Sequence, residues 1–164
     1  MTKAREFAAA AHGKQMYGHV SYLSHLDEVY ALSLLYGASP TVQTAAYLHD
    51  VLEDTPTTAE EVRKSFGSEV TSLVEAVTKL PKGPPRDERL AASWRKIRAA
   101  GTDAVFLKLL DRLANVRRSW RGSTYYKKYQ SDHLLFRAIL YTPGEHEALW
   151  AELESELHPL HPNG

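Results

Sequence analysis

The sequence predicts an all-α protein, a single compact bundle of several helices, and three observations carry that prediction. Apolar residues recur at three- and four-residue spacing along most of the 164 residues. The periodic runs are separated by short breaks rich in Gly, Pro, Ser and Thr. No run shows the strict alternation of a half-buried strand. One domain is expected over residues 1–158, followed by a disordered tail at 159–164.

A first helix is expected over residues 2–16, burying Phe7, Ala10, Ala11 and Met16. The loop "YGHVSY" leads into "SHLDEVYALSLLYG", where Leu26, Val29, Leu32, Leu35 and Tyr36 share a face and Gly37 stops the helix. Ser39 and Pro40 open the next helix, because proline at the first helical position forfeits no needed donor. That helix reads without interruption through "SPTVQTAAYLHDVLED". "TPTT" breaks it, and Thr58 with Glu61 forms a capping box for "AEEVRKSFG". Ser68 opens a helix with Val70, Leu73, Val74 and Val77 apolar. "LPKGPPRDE" is the most loop-like stretch, after which helix signals resume over "DERLAASWRKIRAA" up to Gly101. Thr102 or Asp103 caps "AVFLKLLDRLANVRRSW", residues 117–130 connect, and two helices joined at "TPGE" close the chain.

Composition narrows the function classes. Lys plus Arg equals Asp plus Glu at 20 each, so neither a nucleic-acid polymer nor an anionic membrane is an expected partner. There are no cysteines, which excludes disulfides, thiolate metal sites and a cysteine nucleophile, and fits the expected cytoplasmic location. No segment approaches the ~20 apolar residues of a membrane span.

The chemistry gathers at "HDVLEDTPTT". His49 and Glu53 are four residues apart, as are Asp50 and Asp54, so a continuous helix would carry them as one polar strip. Acids in a last turn face the negative end of the helix dipole, and a bound cation would compensate. Imidazole with carboxylate suits a divalent ion such as zinc, manganese, iron or magnesium. One helix cannot complete such a site. His25 projects from the start of its helix, and Asp111 sits among Leu109, Leu110 and Leu113, where an unpaired carboxylate is costly to bury. Lys108, Asp111 and Asn115 share a face. Singly, each of these residues has a plainer reading as a cap, a packed histidine or a salt bridge; the ordered set favours a metal.

The ordered set His25, His49-Asp50 and Asp111, with "HDVLEDT", "FGSEVTSLVEAVTKL", "LKLLDRLANVR" and the opening "AHGKQ", resembles the HD superfamily of metal-dependent phosphohydrolases. The closer resemblance, over roughly residues 4–118, is to the hydrolase domain of Rel/Spo-type alarmone enzymes and small alarmone hydrolases. It implies an HD-domain bundle with His25, His49, Asp50 and Asp111 binding one divalent ion, most often Mn2+ in this family. It implies that Glu53 and Asp54 handle the attacking water and that Asn115 contacts a nucleotide. The reaction implied is removal of the 3′-pyrophosphate of ppGpp or pppGpp, and 164 residues leave no room for a synthetase domain beside it. Lys79, Lys108, Arg112 and Arg117 are candidate cations for the departing pyrophosphate.

The family follows His-x-x-Gln with an Arg-Lys pair that holds guanine. Here the stretch is Met16-Tyr17-Gly18-His19, the connection to His25 is a residue shorter, and Leu26 replaces the usual proline. Tyr17 is then a candidate base-stacking ring, and "RRSWRGSTYYKKYQ", with Tyr125, Tyr126 and Lys127, is the place for compensation. The alternatives are an HD phosphohydrolase for a different nucleotide or nucleotide cofactor, and a catalytically silent nucleotide-binding module.

Overall fold

A computed structural model describes residues 2–157. The tail expected at 159–164, and the far end of the expected domain boundary, lie outside the described residues. The described chain is helical apart from one small hairpin. In order it forms α1 (Lys3–His12), β1 (Met16–Tyr17), β2 (Val20–Ser21), α2 (Leu23–Leu35), α3 (Pro40–Leu48), α4 (Val51–Asp54) and α5 (Ala59–Phe66). Then follow α6 (Ser68–Val77), α7 (Arg86–Ala100), α8 (Thr102–Arg118), α9 (Thr124–Leu140) and α10 (Glu147–Leu157).

The centre of the bundle is α8, which packs against α2, α3, α6, α7, α9 and α10. Its sequence explains that position. Leu107, Leu109, Leu110 and Leu113 are fully buried, and Val105, Phe106 and Val116 belong to the same broad apolar face, which covers more than half of the helix surface. Each such leucine contributes about 1.5–3 kcal/mol of transfer free energy. Lys108, Asp111, Arg112 and Asn115 form a polar stripe that lines the cleft. A second cluster, Trp94, Phe136 and Trp150, locks α7, α9 and α10 together through edge-to-face and tilted ring contacts.

Several boundaries differ from the sequence expectation. The first helix ends at His12 and not at residue 16; Ala10 is exposed, and Met16 stands 57% exposed in β1. Met16 pairs with Ser21 and Tyr17 with Val20 across a two-residue turn, with Gly18 at φ +61, the pattern of a type II′ hairpin. On α2, Leu35 is 73% exposed because the buried face runs through His25, Leu26, Val29, Leu32 and Ser33. The expected long helix through residue 54 breaks after Leu48, and Asp50, at φ −106 and ψ −2, starts a separate single turn, α4. The Ser39 cap with Pro40 and the Thr58–Glu61 capping box form as expected. Neither Thr102 nor Asp103 caps α8; Gly101 does, with Thr102 the first helical residue.

Candidate metal centre and its cleft

Three pieces of backbone deliver the metal-type side chains. His25 comes from the first turn of α2, Asp111 from the middle of α8, and His49 with Asp50 from the junction of α3 and α4. The break after Leu48 matters here. His49 and Asp50 are the two residues at that break, and their side chains meet at 3.0 Å. Ligand atoms of His25, His49 and Asp111 all lie within 4.8 Å of one another, and all three residues are buried. Asp111 Oδ1 is 3.3 Å from His25 Nε2 and 3.5 Å from His49 Nε2. Asp50 Oδ2 joins them at 3.0 Å from His49 Nε2 and 3.9 Å from His25 Nε2.

The donor set fits a divalent ion. His49 Nδ1 donates to the Ala46 carbonyl at 2.9 Å, which directs Nε2 into the cluster. That Nε2 is buried without a hydrogen-bond partner and faces two carboxylates. Burial disfavours charge on His49, yet Asp50 and Asp111 outweigh it and raise its pKa well above the ordinary value. Burial likewise opposes ionisation of Asp111, but Lys108 and the two histidines hold its pKa well below the carboxylate range. Two imidazoles and two carboxylates converging in this way are a site built for positive charge.

Around this cluster lies a layer of fixed partners. Tyr22 donates its hydroxyl to Asp50 Oδ2. Lys108 Nζ reaches Asp111 Oδ2 at 2.7 Å, and Asn115 Nδ2 reaches Asp111 Oδ1 at 2.6 Å. Tyr17 donates to Asn115 Oδ1 at 2.6 Å, and its ring stacks on His25 with centroids 5.1 Å apart. Of the residues expected to contact a nucleotide, Asn115 and Lys108 are therefore bonded to Asp111, and Tyr17 is bonded to Asn115 and stacked on His25. In the sequence nothing marks Tyr22 beyond its place three residues before His25.

Glu53 and Asp54 sit on α4 at the rim of the same cleft. Glu53 Oε1 accepts from Lys79 Nζ at 2.7 Å; partial desolvation opposes charge on this exposed lysine, but the pairing outweighs it and raises the Lys79 pKa. Asp54 Oδ2 accepts from Gln15 Nε2 at 2.9 Å, while Gln15 Oε1 meets His12 Nδ1 at 2.8 Å. His12 in turn stacks on Tyr22 at 4.7 Å. The His12-x-x-Gln15 element thus clamps the acidic turn to the metal cluster.

The cleft has a volume of about 530 Å3, within the range of small-molecule sites. It continues from the metal cluster to α7 and α9. Arg112 lies in its wall, 4% exposed, donating to the Tyr129 carbonyl at 2.9 Å and lying 4.1 Å from the Phe136 ring centroid. Burial lowers its pKa to about 10. Arg117 does not reach the cleft; it pairs with Glu152 and Glu156 on α10. Within residues 117–130 the cleft is lined by Tyr125, Lys128 and Tyr129, not by Tyr126 and Lys127. Tyr126 is buried and donates to the Glu156 carbonyl at 2.6 Å. The reason is helical phase: α9 starts at Thr124 under a Ser123 cap, so residues 125, 128 and 129 share a face.

A family model described as an HD domain matches residues 4–130. The chain belongs to the HD-domain family. Among similar proteins is the guanosine-3′,5′-bis(diphosphate) 3′-pyrophosphohydrolase of Aquifex aeolicus, 40% identical over 123 residues, covering 72% of this chain and 17% of that protein. The bifunctional (p)ppGpp synthase/hydrolase SpoT of Escherichia coli is 44% identical over 78 residues, covering 44% of this chain and 11% of that protein. The chain thus spans less than a fifth of the length of these relatives. A solved structure of a metazoan SpoT ortholog, described as hydrolyzing ppGpp, superposes with a TM-score of 0.79 at 26% identity, covering 94% of this chain and 91% of that one.

Proposed function

We propose that this HD domain is a metal-dependent phosphohydrolase that removes the 3′-pyrophosphate of guanosine alarmones, yielding GDP or GTP and pyrophosphate. The observation that carries the reading is the convergence of His25, His49, Asp50 and Asp111 in one buried cluster with Glu53 and Asp54 at its rim. The names of the Aquifex relative and the metazoan structural neighbour supply the substrate class.

The four ligands would hold one divalent ion, with manganese the proposed occupant. When bound, such an ion lowers the pKa of water and offsets charge on phosphoryl oxygens. The chain's own groups do the rest. Glu53 and Asp54 orient the attacking water and accept its proton, each fixed by a partner, Lys79 or Gln15. Lys79 places a cation beside the phosphoryl group as charge builds up. Lys108 and Asn115 hold Asp111, and Tyr22 holds Asp50, so the cluster is organised before substrate arrives. The cytoplasm is the proposed location, consistent with a chain without cysteine.

One observation favours a second reading, in which the same chemistry serves a different nucleotide. Met16-Tyr17-Gly18-His19 stands where the family's guanine-holding Arg-Lys pair is expected, and the ring and hydroxyl of Tyr17 are engaged by His25 and Asn115. A substrate panel separates the two. The manganese-loaded protein is incubated with ppGpp, pppGpp, the adenosine analogue, NADPH and mononucleotides, beside a Glu53→Ala/Asp54→Ala control. Pyrophosphate from the guanosine alarmones alone, lost in the control, is expected. Orthophosphate from another nucleotide would select the second reading, and binding without turnover of any compound would select a silent module.

A further inference from the structure

The two histidines of the metal cluster are held differently. A hydrogen bond from Nδ1 to the Ala46 carbonyl fixes the His49 ring. His25 is as deeply buried, yet its Nδ1 has no hydrogen-bond partner among the described residues. A metal-ligating histidine ordinarily donates its second ring nitrogen to an acceptor, and that bond sets the rotation of the ring. At His25 ring contacts stand in that place. Tyr17 stacks on it with centroids 5.1 Å apart and planes 6° apart, and Tyr22 meets it edge-on at 5.7 Å.

Tyr17 belongs to a two-residue strand of an isolated hairpin, which by itself fixes a ring poorly. Its anchors come from α8. Asn115 accepts the Tyr17 hydroxyl, and burial pushes the pKa of that hydroxyl up to about 12, so it remains a donor. At the last residue of α8 the Arg118 guanidinium lies over the same ring, 5.4 Å from its centroid, within cation–π range. That guanidinium also grips α2 on both sides of His25. Nη2 donates to the Ser24 carbonyl at 2.8 Å, Nη1 to the Ser24 hydroxyl at 3.1 Å, and Nε to the Glu28 carboxylate. Ser24 directly precedes His25, and Glu28 follows it within one helical turn. A planar fork engages all three groups at once, which the point charge of a lysine could not do.

We propose that Arg118 is a positioning residue of the metal cluster: it clamps the Tyr17 ring against His25, and the stack sets the imidazole orientation that no hydrogen bond to Nδ1 supplies. The inference rests on the proposed metal-dependent reading and extends it to a residue that does not line the cleft. Loss of Arg118 therefore acts on substrate only through a looser His25.

The test is Mn2+ affinity, measured by isothermal titration of chelator-treated protein for wild type, Arg118→Ala, Tyr17→Leu and the double variant. Tyr17→Leu, which removes the stack, should weaken binding roughly tenfold, the lower end of the cost of losing a partner that orients a ligand. Arg118→Ala should weaken it roughly threefold to tenfold, the scale of one cation–π contact. The double variant should be no weaker than Tyr17→Leu alone, because Arg118 acts through that ring. Arg117→Ala, whose partners are Glu152 and Glu156 on α10, should bind as wild type does. Circular dichroism establishes folding, and Arg118→Gln is read by the same criteria if Arg118→Ala does not fold. In metal-free wild type the carbon-bound ring protons of His25 should resonate upfield under the stacked Tyr17 ring, and Arg118→Ala should reduce that shift. Unchanged affinity and ring-proton shifts in Arg118→Ala, a fully additive double variant, or an equal loss in Arg117→Ala overturns the role. Wild type that binds Mn2+ without turning over any alarmone would defeat the hydrolase reading and leave this test standing. If wild type binds no Mn2+, the metal reading fails, and the ring protons alone decide whether Arg118 fixes His25.

Discussion

Replacing Asn115 with alanine tests whether that side chain serves the metal cluster or the nucleotide. In the structure Asn115 Nδ2 donates to Asp111 Oδ1 at 2.6 Å and to the Asp111 carbonyl at 3.0 Å, while Oδ1 accepts from Tyr17. The amide therefore orients a carboxylate whose oxygen faces both histidines. A hydrogen bond to a charged acceptor is worth about 1.5–3 kcal/mol. Partners that orient metal ligands typically cost 10–100-fold in metal affinity when removed, about 1.4–2.7 kcal/mol. The two routes agree, so Asn115→Ala should weaken Mn2+ binding roughly 10–100-fold by isothermal titration. Tyr17→Phe keeps the ring stacked on His25 and deletes only the hydroxyl, so its loss should be smaller, within about tenfold. Circular dichroism establishes that both variants are folded. Unchanged metal affinity in Asn115→Ala, with only the nucleotide KM raised, would refute this role and leave Asn115 as a direct substrate contact.

Two further predictions concern the scaffold. Thr58→Ala removes a capping box in which Thr58 and Glu61 satisfy each other's backbone donors, so urea unfolding should show a loss of about 0.5–2 kcal/mol; a variant with an unshifted midpoint would contradict it. The Arg5–Asp27 pair, with contacts at 2.6 and 2.8 Å, depresses the Asp27 pKa. A carboxylate with a depressed folded pKa adds stability above its unfolded pKa of ~3.9, and that stability is lost as pH falls through the folded value. Arg5→Ala should therefore be less stable near neutrality by no more than about 1 kcal/mol, because the pair is partly exposed. The gap to wild type should narrow below pH ~4, and a gap that is constant with pH would count against it.

The metal-type residues were legible because two histidines and two acids in a fixed order have few other joint uses, and because "HDVLEDT" and "LKLLDRLANVR" carry a recognisable pattern. Their arrangement was less legible. Nothing in the periodicity of "TVQTAAYLHDVLED" marks the break after Leu48, since Val51 keeps the apolar phase and neither Gly nor Pro intervenes. The dipole argument for a cation fell with that break: Glu53 and Asp54 belong to a single-turn α4, and the metal reading stands on the converging ligands instead. The hairpin at 16–21 escaped because two-residue strands cannot show alternation. In "RRSWRGSTYYKKYQ" the mixed basic and aromatic composition hides the Ser123 cap, and with it the helical phase that turns Lys128 and Tyr129, and not Tyr126 and Lys127, toward the cleft. The roles of Tyr17 and Asn115 as supports of His25 and Asp111 are long-range contacts, and spacing along one helix shows only the Asn115–Asp111 half.

Dependence of turnover on one divalent ion in the His25–His49–Asp50–Asp111 cluster is what the proposed hydrolase function requires. It is tested most directly by titrating chelator-treated protein with Mn2+ while following the products formed from ppGpp. No turnover is expected at the start, then a rise that saturates near one ion per chain, with GDP and pyrophosphate in equal amounts. Full activity in chelator-treated protein, or orthophosphate as the released product, would contradict it.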